Sequence, residues 1–133
     1  MSHWIPVDAE GGMRHSNGPA AVRAGDFLYL SSVKGVDPGT QVSDPDALTQ
    51  LRQAMSNIEV VLDAGGMGKA DMVKVTVFLE GFATNRAHLD QVWGEYFEGS
   101  PPARATVAVD RVGLESDPSI ALFDVVAYRP GAG

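Results

Sequence analysis

The chain has 133 residues, is 44% hydrophobic and 20% charged, and carries a net charge of −7. Its length predicts one domain over residues 1–133 with a sizeable core. The acidic balance and scattered Lys and Arg argue against nucleic acid as a partner, because phosphate binding needs clustered cations. Zero cysteines remove thiolate nucleophiles, disulfides and thiolate metal sites. His3, His15 and His88 share no metal-ligand spacing, so no metal is expected. No apolar run approaches a membrane span and no charged-then-apolar leader opens the chain, so a cytoplasmic protein with no membrane partner is expected.

In chain order, Trp4-Ile5-Pro6-Val7 predicts a short edge strand, since Pro6 cannot donate to a central ladder. A Gly-rich loop follows to Ala20. Val22-Arg23 and Phe27–Ser31 flank Gly25-Asp26, which supplies the positive backbone angle of a tight hairpin. Ser31 and Ser32 then lead into a loop, where hydroxyls either complete a turn or line a pocket. Asp44-Pro45-Asp46 predicts a helix start with Asp44 as the cap and Pro45 in the first turn. Leu48, Leu51, Met55, Ile58 and Leu62 recur every three or four residues, one buried face, until Gly65-Gly66 ends the helix.

Met72–Leu79 alternates, placing Val73, Val75, Val77 and Leu79 on one face of a strand. A second helix is predicted over Asn85–Phe97, with Leu89, Val92, Trp93 and Tyr96 buried. Pro101-Pro102 then fixes an extended entry to a strand running to Val109, with Arg104 at its mouth. A guanidinium there can hold a carboxylate through two parallel hydrogen bonds. The residues alone also allow, and favour, a plain surface ion pair. After a turn at Gly113–Pro118, Ser119–Tyr128 is almost continuously apolar, which predicts burial on both faces, by helices on one and another subunit on the other. The order β-β-β-α-β-α-β-β is that of an α+β fold, one mixed sheet with both helices on one face.

Taken together, several segments resemble the RidA/YjgF family of small trimeric proteins. They are Ala21–Ser31, Asn57-Ile58 through Leu62–Gly65, Val73–Leu79, Tyr96-Phe97 and above all Pro102-Ala103-Arg104. The resemblance covers nearly the whole chain. It implies a chorismate-mutase-like fold of the bacillus type and a homotrimer with a pocket at each subunit interface. It also implies hydrolysis of small enamines and imines to 2-keto acids and ammonia, without metal or organic cofactor. The arginine matching Arg104 binds the substrate carboxylate, and a glutamate on the last strand activates water.

Departures accompany the match. The family's water-activating glutamate falls at Leu122, which can neither accept nor deliver a proton. Its tyrosine-serine pair falls at Gly18-Pro19, its Ser-Gly pair becomes Ser31-Ser32, and a helix asparagine becomes Asp90. Asp90 repels a carboxylate unless it pairs with a base, or it meets an amine on the substrate. Lys34 is read as solvated, with a second positive charge for the site as the alternative.

Three functions follow. The chain is an imine deaminase in which Asp124, Asp110, Glu115 or Asp117 replaces the acid, Asp124 lying on the same strand face as Leu122. Alternatively, the drier pocket serves another small carboxylate substrate. In the third, the trimer binds ligands without catalysis, using Arg104 as an anion hook. Ribonuclease chemistry is disfavoured, since no histidine pair or basic stretch with stacking aromatics is visible.

Overall fold

The computed structural model describes residues 3–113 and 116–133. Three strands come first: β1 (Ile5–Val7), β2 (Ala21–Ala24) and β3 (Phe27–Leu30). Helix α1 (Ala47–Ala64), β4 (Met72–Glu80), α2 (Phe82–Phe97), β5 (Ala103–Val109) and β6 (Ala121–Tyr128) complete the chain. The strands form one sheet in the order β1-β2-β3-β6-β4-β5. Among the described residues only β4 and β5 pair in parallel, which the intervening α2 allows as a crossover. This is the predicted α+β architecture, and β1 with its Pro6 is an edge as expected.

Local chemistry sets the boundaries. Gly25 has φ +59° in the two-residue connection between Ala24 and Phe27, the left-handed angle the hairpin needs. At the start of α1, Asp46 rather than Asp44 is the cap, accepting the Thr49 N–H at 3.0 Å. Asp44 instead uses its carboxylate in a local turn, accepting the Asp46 N–H at 2.8 Å. The helix closes as predicted: Gly66 takes φ +74°, Gly66 N–H donates to Asp63 O at 2.9 Å and Met67 N–H to Leu62 O at 2.8 Å.

Leu51, Met55, Ile58 and Leu62 of α1 and Leu89, Val92 and Trp93 of α2 are buried with Val75, Val77, Leu79, Phe123 and Val125 of the sheet. Val73 departs from prediction and is 42% exposed, because a register shift between Met72 and Lys74 breaks the alternation and Met72 turns inward instead. Helix α2 starts three residues earlier than predicted, at Phe82 after a left-handed Gly81. Phe97 is buried where Tyr96 was expected to be, and Tyr96 is half-buried.

The last strand has one of its two expected covers, the helices, within this chain. Within one chain it alternates: Ala121, Phe123, Val125 and Ala127 are buried, while Leu122 and Val126 are half-buried and Asp124 and Tyr128 exposed. The continuous apolar run arises because the second face is also apolar, yet no described helix covers it. That face carries Phe27 and Tyr29 of β3, Leu122, Val126 and Tyr128 of β6, Phe78 of β4 and Val107 of β5, by their pairing. No described helix is long and apolar enough to cross a membrane.

Candidate functional site

Arg104 is the second residue of β5 and pairs with Val75, so its side chain leaves on the helix side of the sheet. There Nη2 donates to Asp90 Oδ1 of α2 at 2.7 Å, and the guanidinium lies over the Trp93 ring at 5.1 Å. Asp90 and Trp93 are three apart on α2 and so share a face, which is why one helix supplies both a carboxylate and a ring to the same arginine. The Arg104 side chain is 21% exposed, held but reachable. Arg86 lies on the other Asp90 oxygen at 3.9 Å. Two cations around one carboxylate leave a net positive cluster. Asp90 therefore has the base it needs and does not require an amine on the ligand.

A second group forms at the C-terminal end of β3. Tyr29 pairs with Val126 and Val33 with Phe123, so Leu30, Ser31 and Ser32 face only Val125 and Asp124: a bulge. The bulge sets the two serines opposite Asp124. Ser31 Oγ donates to Pro19 O at 2.7 Å, which draws the Gly18 loop against them. Gly18, Ser31, Ser32 and Lys34 line one hollow. Leu122 pairs with Phe78 on the open face, an apolar neighbour of Asp124.

These two groups do not meet within the chain. β6 and β4 stand between β3 and β5, a lateral gap of about 14 Å at the usual strand spacing.

The alternative acids are less well placed. Asp110 is exposed just beyond the edge strand β5, and Glu115 lies outside the described residues. Asp117 is bound to Lys34 Nζ at 2.7 Å, so Lys34 is paired rather than merely solvated. Partial burial raises the proton affinity of Asp117, but hydrogen bonds from Lys34 and Ser119 outweigh it and hold the carboxyl below its ordinary range. It remains a carboxylate.

Sequence reasoning missed the residues that hold this rim. Gln50 and Asn57 are buried polar side chains on the apolar face of α1. Gln50 accepts from Ile120 N at 2.6 Å and donates to Asp44 O and Pro118 O. Asn57 donates to Lys34 O at 2.9 Å and Val36 O at 2.8 Å. An amide side chain at a core position of a helix was the available signal, since burial demands such partners.

One mixed sheet with two helices on one face and an open opposite face defines the chorismate-mutase-like fold. The family model described as endoribonuclease L-PSP matches residues 15–123. The chain is 36% identical over 110 residues to RutC family protein PH0854 of Pyrococcus horikoshii, covering 82% of this chain and 84% of that protein. It is 38% identical over 89 residues to protein DfrA of Myxococcus xanthus, covering 66% and 67%. Among solved structures, a Rid-family protein from Yersinia pestis superposes with TM-score 0.86 at 25% identity, over 95% of this chain and 99% of that one. The chain belongs to the RidA/YjgF family.

Proposed function

We propose that the protein is one RidA-like domain over residues 1–133 that acts in the cytoplasm as a homotrimeric deaminase. It hydrolyses small 2-imino and 2-enamino acids to 2-keto acids and ammonia. The observation that carries this reading is Arg104, preset by Asp90 and Trp93 with Nε and Nη1 unpartnered among the described residues. A substrate carboxylate takes that free side of the fork. Membership of the family supports this choice of reaction class. The exposed apolar face across β3, β6, β4 and β5 supports assembly, since an uncovered patch of this kind marks a contact surface.

In the reaction, water adds to C2 of the imine, and the carbinolamine then expels ammonia and leaves the 2-oxo group. Arg104 fixes the carboxylate, and so C2, against the Ser31–Ser32 rim of a neighbouring chain. Asp124 accepts a hydrogen bond from the incoming water and orients it, while solvent carries the proton to the leaving nitrogen. Orientation supplies much of the acceleration for so labile a substrate.

A second reading is favoured by Leu122, half-buried beside Phe78, which makes the pocket drier than a carboxylate would. In that reading the pocket serves a different reaction on a small carboxylate compound. Hydrolysis of freshly generated 2-aminoacrylate imine, followed spectroscopically against buffer, separates the two. Deamination requires acceleration by wild type and its loss in Arg104→Ala. An inert wild type with activity gained in Leu122→Glu sinks the deaminase reading. Ligand binding through Arg104 with neither protein active points to a non-catalytic binding trimer.

A further inference from the structure

Two adjoining hollows, each of about 420 Å³, share Arg14, His15, Ser16 and Lys34. One of them opens onto Ser31, Ser32 and Gly18. In a chain with net charge −7, two permanent cations and an imidazole face one concavity. Asp117 is the carboxylate set against them, while Asp8 and Glu10 line a third hollow that shares Arg14, His15 and Gly18 with these. Among the described residues no ion pair joins those acids to Arg14.

The walls are fastened rather than loose. Arg14 N–H donates to Gln41 Oε1 at 2.9 Å. His15 Nε2 lies 2.8 Å from Ser32 O, an acceptor only, so Nε2 donates to it and fixes the ring against the rim. Lys34 N–H donates to Met13 Sδ at 3.3 Å, and Asn57 binds the Lys34 carbonyl from below. A Cβ on Gly35 would collide with the Gln50 carbonyl, so the segment bearing Lys34 lies directly on α1. The Lys34 ammonium is thus delivered to a fixed place, with Asp117 occupying one of its three donors.

We propose that this hollow is a second anion subsite, which binds a terminal carboxylate and so selects dicarboxylic 2-imino or 2-oxo acids. The inference rests on the reading of Arg104 as anchor for the first carboxylate. Arg14 and Lys34 supply charge-assisted hydrogen bonds to the distal group, and the Ser32 hydroxyl completes the rim beside the His15 ring.

The test is calorimetric titration of the intact protein with 2-oxobutanoate and 2-oxoglutarate, which carry one and two carboxylates. Wild type is expected to bind 2-oxoglutarate about tenfold tighter, the worth of one charge-assisted hydrogen bond. The Arg14→Gln, Lys34→Met double variant is expected to bring the ratio of the two affinities to about one. Arg14→Gln alone, a change at an exposed side chain, lowers the ratio and guards against misfolding of the double variant. Arg52→Gln, on the outer surface of α1, leaves it unchanged. The His15 imidazole NMR signals are expected to move with 2-oxoglutarate and stay still with 2-oxobutanoate. Equal affinities in wild type, or a preference that survives the double variant, overturn the subsite. If Arg104→Ala leaves 2-oxobutanoate binding intact, the anchor reading fails instead.

Discussion

The two faces of β6 are made of similar residues and do opposite things. Phe123 and Val125 lie under the helices and are fully buried, while Leu122, Asp124 and Val126, one residue away, look out from an uncovered sheet. Composition does not distinguish the sides; the presence of α1 and α2 does. The covered face is finished within one chain and supplies its stability. The open face is largely apolar without a partner among the described residues, and of its polar residues Asp124, with Ser31 and Ser32 beside it, is the one the proposed chemistry uses.

Truncation on the covered face should give the largest effect. Phe123→Ala is expected to cost about 3–5 kcal/mol, read from urea unfolding. A loss below about 1 kcal/mol, the level of a surface change, would mean the two faces are not energetically distinct. On the open face, Val126→Asp should leave the far-UV spectrum of the chain unchanged but reduce the mass in light scattering from assembled to monomeric. An unaltered mass would refute the idea that this face is the contact surface.

Between the faces, the Lys34–Asp117 pair tests whether the rim depends on charge. Asp117 has a folded proton affinity below its ordinary value of 3.8, so its contribution is complete above that pH and is lost as pH falls through the lower folded value. Asp117→Asn is therefore expected to be less stable than wild type at pH 7, with the difference closing as pH falls below 3.8. Parallel stability curves down to pH 2 would contradict this. The smallest effect belongs to Tyr96, whose buried hydroxyl makes no hydrogen bond of good geometry, the Glu59 carboxylate being its one polar neighbour among the described residues. Tyr96→Phe should leave the melting temperature unchanged or raise it, by up to about 1 kcal/mol in stability; a clear drop would reveal a partner for that hydroxyl.

Much of the covered face was legible because it obeys simple periods. Leu51, Ile58 and Leu62 of α1 and most of the alternation of β4 announced their burial, Leu48 at the first turn being only half-buried, and Gly65-Gly66 announced where α1 stops. Val73 misled, because a bulge is a two-strand event that one strand's pattern cannot carry. Arg104 was legible as an arginine at a strand mouth, but its company was not: Asp90 and Trp93 come from another element and reach it only through the crossover. The parts that His15, Arg14 and Asn57 play were hidden for the same reason. Each gains its meaning from a loop or carbonyl far along the chain, such as Ser32 O, Gln41 or Lys34 O.

About three strand spacings separate Arg104 from Ser31 and Ser32 in one chain, so a small acid that touches both borrows them from two molecules. Activity of that kind belongs to junctions, not to polypeptides. A preparation lacking the arginine and another lacking the serine rim would each be silent alone. Unfolded together and refolded as a mixture, they would regain a fraction of working junctions, while dilution below the assembly concentration would silence even the wild type.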